Sequence, residues 1–175
     1  MRYSKVTDQD RSGNGKADAV LLHFHNSPDN LVHEAFAVDM SADGRIEFGF
    51  AGDINSDGEQ NFQDQLLLTA FAEVFLQLNW FNKGDNWERY LKISAKDHHQ
   101  DGSPNVVSLQ FSEDDGTPGI PIWIKGAAAY DGDNDGRLDS FTNTDVNSDG
   151  IANRADKVLL RNIAESFLAF RWFET

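Results

Sequence analysis

Apolar and polar residues alternate from the start of the chain. Arg2-Tyr3-Ser4-Lys5-Val6 has the period-two pattern of a strand, and an Asp- and Gly-rich loop follows. Residues 18–25, with Val20, Leu22 and Phe24 on one face, predict a second strand, and the apolar stretch 31–38 a third. A short Asp-Gly loop then leads through 45–50, read as a further strand, into a second loop. There the period changes. Leu67, Phe71, Val74 and Leu78 fall at i, i+4, i+7 and i+11, with Leu68 and Phe75 beside them, which predicts an apolar helix.

The same series then runs again. Arg2-Tyr3-Ser4-Lys5-Val6 recurs as Arg89-Tyr90-Leu91-Lys92-Ile93, an offset of 87, and Val20, Leu22 and Phe24 meet Val107, Leu109 and Phe111 at that offset. Further on the offset is 92, so that Leu67, Phe75, Trp80 and Phe81 meet Leu159, Phe167, Trp172 and Phe173. One insertion accounts for the difference, most simply in the stretch 113–125 with its Asp-Asp-Gly-Thr-Pro-Gly turn. Residues 105–111 and 120–130 are the second set of later strands. Leu159, Ile163 and Phe170, flanked by Leu160 and Phe167, form the second helix face. The expected fold is therefore α+β: an internally duplicated antiparallel meander with one apolar helix per repeat (1–87 and 88–175), joined as a single pseudo-symmetric domain spanning 1–175. Neither half alone covers both faces of its helix.

Charge sharpens the reading of the loops. The 175 residues carry a formal charge of −14, which makes polyanions such as nucleic acid poor partners. Of the 29 acidic residues, seventeen lie in five short loop segments, leaving twelve against 15 Lys and Arg elsewhere. Clustered carboxylates repel unless a cation holds them. Cysteine is absent, which excludes disulfides, thiolate metal sites and a cysteine nucleophile. No run is long enough for a membrane span, and Met1-Arg2-Tyr3 does not open a signal peptide.

The most specific motif is Asp53-x-Asn55-x-Asp57-Gly58-Glu59-x-Asn61-x-x-Asp64, with its twin Asp145-x-Asn147-x-Asp149-Gly150-Ile151-x-Asn153-x-x-Asp156. Oxygen side chains stand at positions 1, 3, 5, 9 and 12, and Gly at 6. A cation of calcium's size takes six to eight oxygens, and a loop that wraps it turns alternate side chains inward and bends sharply at the Gly. The main-chain carbonyl at position 7, from Glu59 or Ile151, completes the shell. Asp64 and Asp156 also suit the positive end of the helix they open.

These two segments resemble the loop–helix half of EF-hands and, more closely, the duplicated calcium-binding segments of dockerins. The resemblance spans 53–81 and 145–173 and implies that the oxygen-bearing residues of both motifs are calcium ligands. It departs from EF-hands in lacking a helix before the loop, and from dockerins in the β-rich stretch between the segments. Asp131-x-Asp133-x-Asp135-Gly136-x-x-Asp139 resembles the short calcium loops of thrombospondin type 3 and integrin-type propeller repeats, with Arg137 in the position-7 place. Asp39-x-Ser41-x-Asp43-Gly44-x-x-Glu47 is its counterpart one repeat earlier. Asp8-x-Asp10-x-Ser12-Gly13-x-Gly15-x-x-Asp18 is a further candidate. Asp97-His-His99-Gln-Asp101-Gly102 has lost most of this pattern and reads as an ordinary turn.

Other chemistries fit less well. His23 and His25 share a strand face and, with His33, His98 or His99, offer a zinc alternative, but their repeat partners Gln110 and Ser112 are not such ligands. Gly13-Asn14-Gly15-Lys16 lacks the spacing of a phosphate loop. Paired carboxylates for hydrolysis remain open, so a metal-dependent hydrolase is one alternative. Trp80 and Trp172, related by the repeat, read as core; Trp87 and Trp123 are better placed for exposed stacking. The expectation is a non-enzymatic, monomeric, multi-site calcium module holding four or five calcium ions. The ions stabilise the fold, and the module belongs to a secreted or cell-surface protein. A dockerin-like calcium-dependent protein-interaction module and a calcium sensor are its alternatives.

Overall fold

The computed structural model describes residues 1–82, 88–114, 118 and 122–174. Trp87 and most of the Asp-Asp-Gly-Thr-Pro-Gly turn lie outside them. The order of elements is four strands and a helix, twice: β1 (Tyr3–Gln9), β2 (Ala19–Ser27), β3 (Asn30–Val38), β4 (Phe48–Phe50) and α1 (Phe62–Phe75), then β5 (Glu88–Lys96), β6 (Val106–Asp114), β7 (Ile122–Tyr130), β8 (Ser140–Phe141) and α2 (Arg154–Leu168). A single 3-10 turn over Leu76–Leu78 extends α1.

All eight strands form one antiparallel sheet in the order β4-β3-β2-β1-β5-β6-β7-β8. Each set of four is a meander, and β1 and β5 join them at the centre with Lys5 opposite Lys92 and Val6 opposite Leu91. Alternation decides which side is buried. Val6, Val20, Leu22, Phe24, Leu91, Ile93, Val107, Leu109 and Phe111 point to one face and are buried. Their neighbours Tyr3, Lys5, His23, His25, Tyr90 and Lys92 occupy the other face, which no helix among the described residues covers.

Both helices pack on the buried face, α1 against β3 and β4, α2 against β7 and β8, and they touch each other. The ring of Phe71 lies 5.3 Å from that of Phe170 at this contact. Phe24, Phe71, Phe75, Phe111, Phe167 and Phe170 are all essentially inaccessible; each such side chain contributes on the order of 1.5–3 kcal/mol. The expected face of α2 is the buried one. In α1 the buried stripe is Leu68, Phe71, Ala72 and Phe75, while Leu67 and Val74 are only partly covered. Both helices run out into a left-handed residue, Asn79 and Arg171, that turns a buried tryptophan, Trp80 or Trp172, back into the core. The fourth strand is shorter than 45–50 predicts, because residues 39–47 fold as a loop.

Candidate metal loops

Six loops among the described residues share one backbone turn. Each begins at an Asp: Asp10, Asp39, Asp53, Asp97, Asp131 or Asp145. The fourth residue of each (Gly13, Ala42, Ser56, Gln100, Asn134, Ser148) has φ between 56° and 72°, and the Gly two further on has φ between 83° and 93°. That second kink is why Gly stands at position 6 throughout.

The same hydrogen bonds recur in loop after loop. In five of the six the first carboxylate accepts from the N–H of the residues at positions 5 and 6, as Asp53 does from Asp57 (2.9 Å) and Gly58 (3.0 Å), and Asp131 from Asp135 (3.1 Å) and Gly136 (2.8 Å); Asp97 accepts from Gln100 and Gly102, positions 4 and 6. The position-5 side chain accepts from the N–H at position 7 in all six, at 2.9 Å in each: Asn14 from Lys16, Asp43 from Arg45, Asp57 from Glu59, Asp101 from Ser103, Asp135 from Arg137 and Asp149 from Ile151. Short Asx turns of this kind tie the side chains at positions 1 and 5 to the loop's own backbone, and in the loop 131–139 the oxygens of Asp131, Asp133 and Asp135 come within 4.8 Å of one another.

Closure divides the loops into two kinds. Four connect strands and close at position 9. Asp18 accepts from Arg11 and Ser12 N–H (2.8 and 2.9 Å), and Asn105 from His98 and His99 N–H (2.9 and 3.3 Å). Asp139 accepts from Gly132 N–H at 3.2 Å, and Glu47 accepts from Met40 N–H and from the Ser41 hydroxyl. The other two lead into helices and close at position 12. Asp64 accepts from Ile54 (3.0 Å), Asn55 (3.3 Å) and Asn61 (2.9 Å) N–H; Asp156 accepts from Val146 (2.8 Å), Asn147 (3.0 Å) and Asn153 (2.8 Å). Both carboxylates are buried at 1% exposure. Asn61 and Asn153, at position 9, cap the helices reciprocally with them. A strand, β4 or β8, stands before each of these loops where an EF-hand has a helix.

Electrostatics follows these bonds. The N–H groups of Gly15, Gly13 and Asn14 hold the Asp10 carboxyl below the usual range; the Glu59 N–H does so for Asp57, and the Asn134 amide for Asp101. Burial pushes Asp156 upward, but the N–H groups of Asn147, Asn153 and Val146 outweigh it and its carboxyl stays low. Among the described residues, two groups of three acidic side chains bring carboxylate oxygens within 4.8 Å of one another and could hold a metal ion: Asp39, Asp43 and Glu47; and Asp131, Asp133 and Asp135. One member of each, Asp39 or Asp131, is buried.

The first loop starts at Asp10, two residues after the Asp8 at which the sequence motif begins. Asp8 belongs to β1, opposite Val20, so Asp10, Ser12, Asn14 and Asp18 fill positions 1, 3, 5 and 9. Burial raises the Asp8 carboxyl to about 7. The loop 97–105 has the same backbone turn although its residue types hide it; Asp at 1 and 5, Gly at 6 and Asn at 9 are the available signal. Its Asn105 amide donates to Asn134 of the neighbouring loop. His23 pairs with Glu34 at 3.5 Å and His25 stacks on Tyr3, and no metal-competent group among the described residues contains a histidine. Among the described residues no helix is long and apolar enough to cross a membrane. No protein-family model, no curated protein and no solved structure matches the chain.

Proposed function

We propose that the protein is a multi-site calcium-binding module, two copies of one four-strand-and-helix unit, in which the ions fasten the joints between strands and helices. It is read as a binding module, not an enzyme. The observation that carries this is the common turn: one backbone conformation, at six places, ties a leading Asp to its own loop, and at five of them oxygen-bearing residues stand at positions 1, 3 and 5 and at the closing position. Five of these loops have oxygens at every one of those positions, so five ions are expected. Loop 97–105, with His99 at position 3, is left out. Hard oxygen donors in groups of this size suit calcium or magnesium over softer ions. Position 12 is Asp in both helix-leading loops, so magnesium competes there. Extracellular calcium modules bind in the submillimolar to millimolar range, which suits weak structural sites of this kind, and we place the protein outside the cell or on its surface.

Calorimetric titration of metal-stripped protein with calcium tests this. Each site held at a hundredfold excess over its Kd adds about 2.7 kcal/mol to the folded state, and 1 kcal/mol moves the midpoint of a chain this size by roughly 2–4 °C. Chelation is therefore expected to lower the melting temperature by about 10 °C or more. A melting temperature indifferent to chelator, with no heat of binding, rules the proposal out.

A further inference from the structure

The uncovered face of the sheet differs between its two halves. Positions holding the same place in the strand pairing can be compared directly: Leu21 is opposite Phe36 as Ser108 is opposite Ala128, and His23 opposite Glu34 as Gln110 is opposite Gly126. Phe50 and Thr142 likewise correspond, each next to the matching residue of the third strand. In the first half these places are filled. The Phe36 ring packs 6.0 Å from Phe48 and 6.4 Å from Phe50, and His23 pairs with Glu34. In the second half they hold Ser108, Gln110, Gly126, Ala128 and Thr142, and the shortened side chains leave a trench of about 270 Å³.

Trp123 forms the wall of that trench. A β-bulge after Phe111 sets it opposite Ser112. Its indole lies over Gly126, where an added Cβ would sit 3.3 Å from the ring. The six-membered part of the indole thus lies close to Gly126, and the residue remains 60% exposed. Along the floor, Ser108 and Gln110 make no side-chain hydrogen bond among the described residues, and no lining residue is charged. Lys92, opposite Gln110, is held over the Tyr3 ring at 4.3 Å.

We infer that this trench is a binding site for a neutral sugar ring of an oligosaccharide. A pyranose has a C–H face that packs on an indole and a rim of hydroxyls that pair with amide and hydroxyl groups, the two kinds of group present here. The volume, near the lower end of small-ligand sites (roughly 300 Å³), fits a single ring. A neutral lining in a chain of charge −14 favours an uncharged ligand over a uronate or a nucleic acid. A proline-rich peptide needs an aromatic-lined groove, and here Trp123 is the one aromatic among the lining residues.

The test is titration of the whole chain, with calcium present, using cellohexaose and mannohexaose as neutral probes and polygalacturonate and a proline decapeptide as comparators, followed by tryptophan fluorescence and calorimetry. At least one neutral hexaose is expected to bind and perturb the fluorescence. Trp123→Ala is expected to weaken binding by about tenfold or more. Ala128→Phe, which installs the first half's residue, is expected to do the same with the indole intact, while Phe36→Ala leaves affinity unchanged. All three variants are checked for an unaltered circular dichroism spectrum. Absence of binding by both hexaoses, affinity untouched by Trp123→Ala, or Trp123-dependent binding of polygalacturonate or the proline peptide in place of the sugars overturns the assignment.

Discussion

The strand-connecting loops and the loops that lead into helices begin with the same turn and end in opposite electrostatic situations. In the latter, the closing carboxylates Asp64 and Asp156 are buried and each takes three backbone N–H groups, so the joint is satisfied by its own chain. In the hairpin loops 39–47 and 131–139, three carboxylates face one another within 4.8 Å and cancel nothing among themselves. The difference separates two things a sequence motif confounds. Part of the long motif's regularity is helix capping, which any folded state needs, and part is the clustering of oxygens that a cation would hold on the reading proposed above. The shorter motifs carry more of the second.

Asp64→Ala is the severest way to break that contrast. It strips the acceptor from the N–H groups of Ile54, Asn55 and Asn61, and Ile54 is itself buried at 1% exposure. The loss is expected to be about 3 kcal/mol, and to appear with or without calcium, because buried donors are orphaned in either state. Urea unfolding in calcium and in chelator measures it. A loss confined to calcium would make Asp64 a ligand and nothing more.

Asp133→Asn should behave the other way. Position 133 meets Asp131 and Asp135 at the metal-competent cluster, and its oxygen also accepts from the Asp135 N–H at 3.3 Å, a bond that Asn can keep. Without calcium the substitution relieves repulsion and is expected to stabilise by roughly 0.5 kcal/mol; with calcium it removes a charged ligand and costs about 1–2 kcal/mol. Paired melting curves show the change of sign, and an effect of one sign in both conditions would erase the distinction between the two kinds of loop.

Much of this was legible from residue order. The period-two stretches around Val20 and Val107 and the i, i+4 spacing of Leu159 and Ile163 carry the fold, because burial on one side of a strand or helix leaves a periodic trace. The buried stripe of α1 was displaced by one residue, since Phe62, Leu66 and Leu67 make nearly every face of that helix apolar and only packing selects Leu68 and Ala72. The loop at 97–105 was hidden because its conformation is set by backbone N–H groups reaching Asp97 and Asn105, which tolerate His98 and His99 between them. The start of the first loop was ambiguous for a similar reason: Asp8 and Asp10 are both spaced for it, and only the pairing of Asp8 with Val20 decides.

Asp8 allows a test of intermediate size. Its folded carboxyl titrates at about 7 through burial, against 3.8 for the free side chain. A raised folded pKa means that the folded state holds a proton the unfolded chain has already lost. Stability from this group is complete below about 3.8 and falls as pH rises to about 7. Asp8→Asn is expected to remove that slope and to stabilise the protein by roughly 1–2 kcal/mol at pH 8, with little effect at pH 4. Unfolding curves across that range follow it, and an unchanged slope would place the titration on another group.

The smallest expected effect is also the most direct probe of what a loop needs in order to hold an ion. Loop 97–105 has the shared turn, Asp97 and Asp101 at positions 1 and 5, and Asn105 closing it through two N–H groups; only His99 at position 3 departs from an oxygen. The backbone N–H of His99 makes the closing bond, so its side chain can be exchanged without disturbing the turn. His99→Asp is expected to add one calcium ion to the measured stoichiometry while moving the melting temperature by only about 2–4 °C, the effect of roughly 1 kcal/mol. In chelator the same variant should be slightly less stable than the parent, because a third carboxylate joins two others with nothing between them. An unchanged stoichiometry would mean that the turn and its oxygens are insufficient, and that strand-connecting loops depend on the packing around Asp39 and Asp131 to gather a cation.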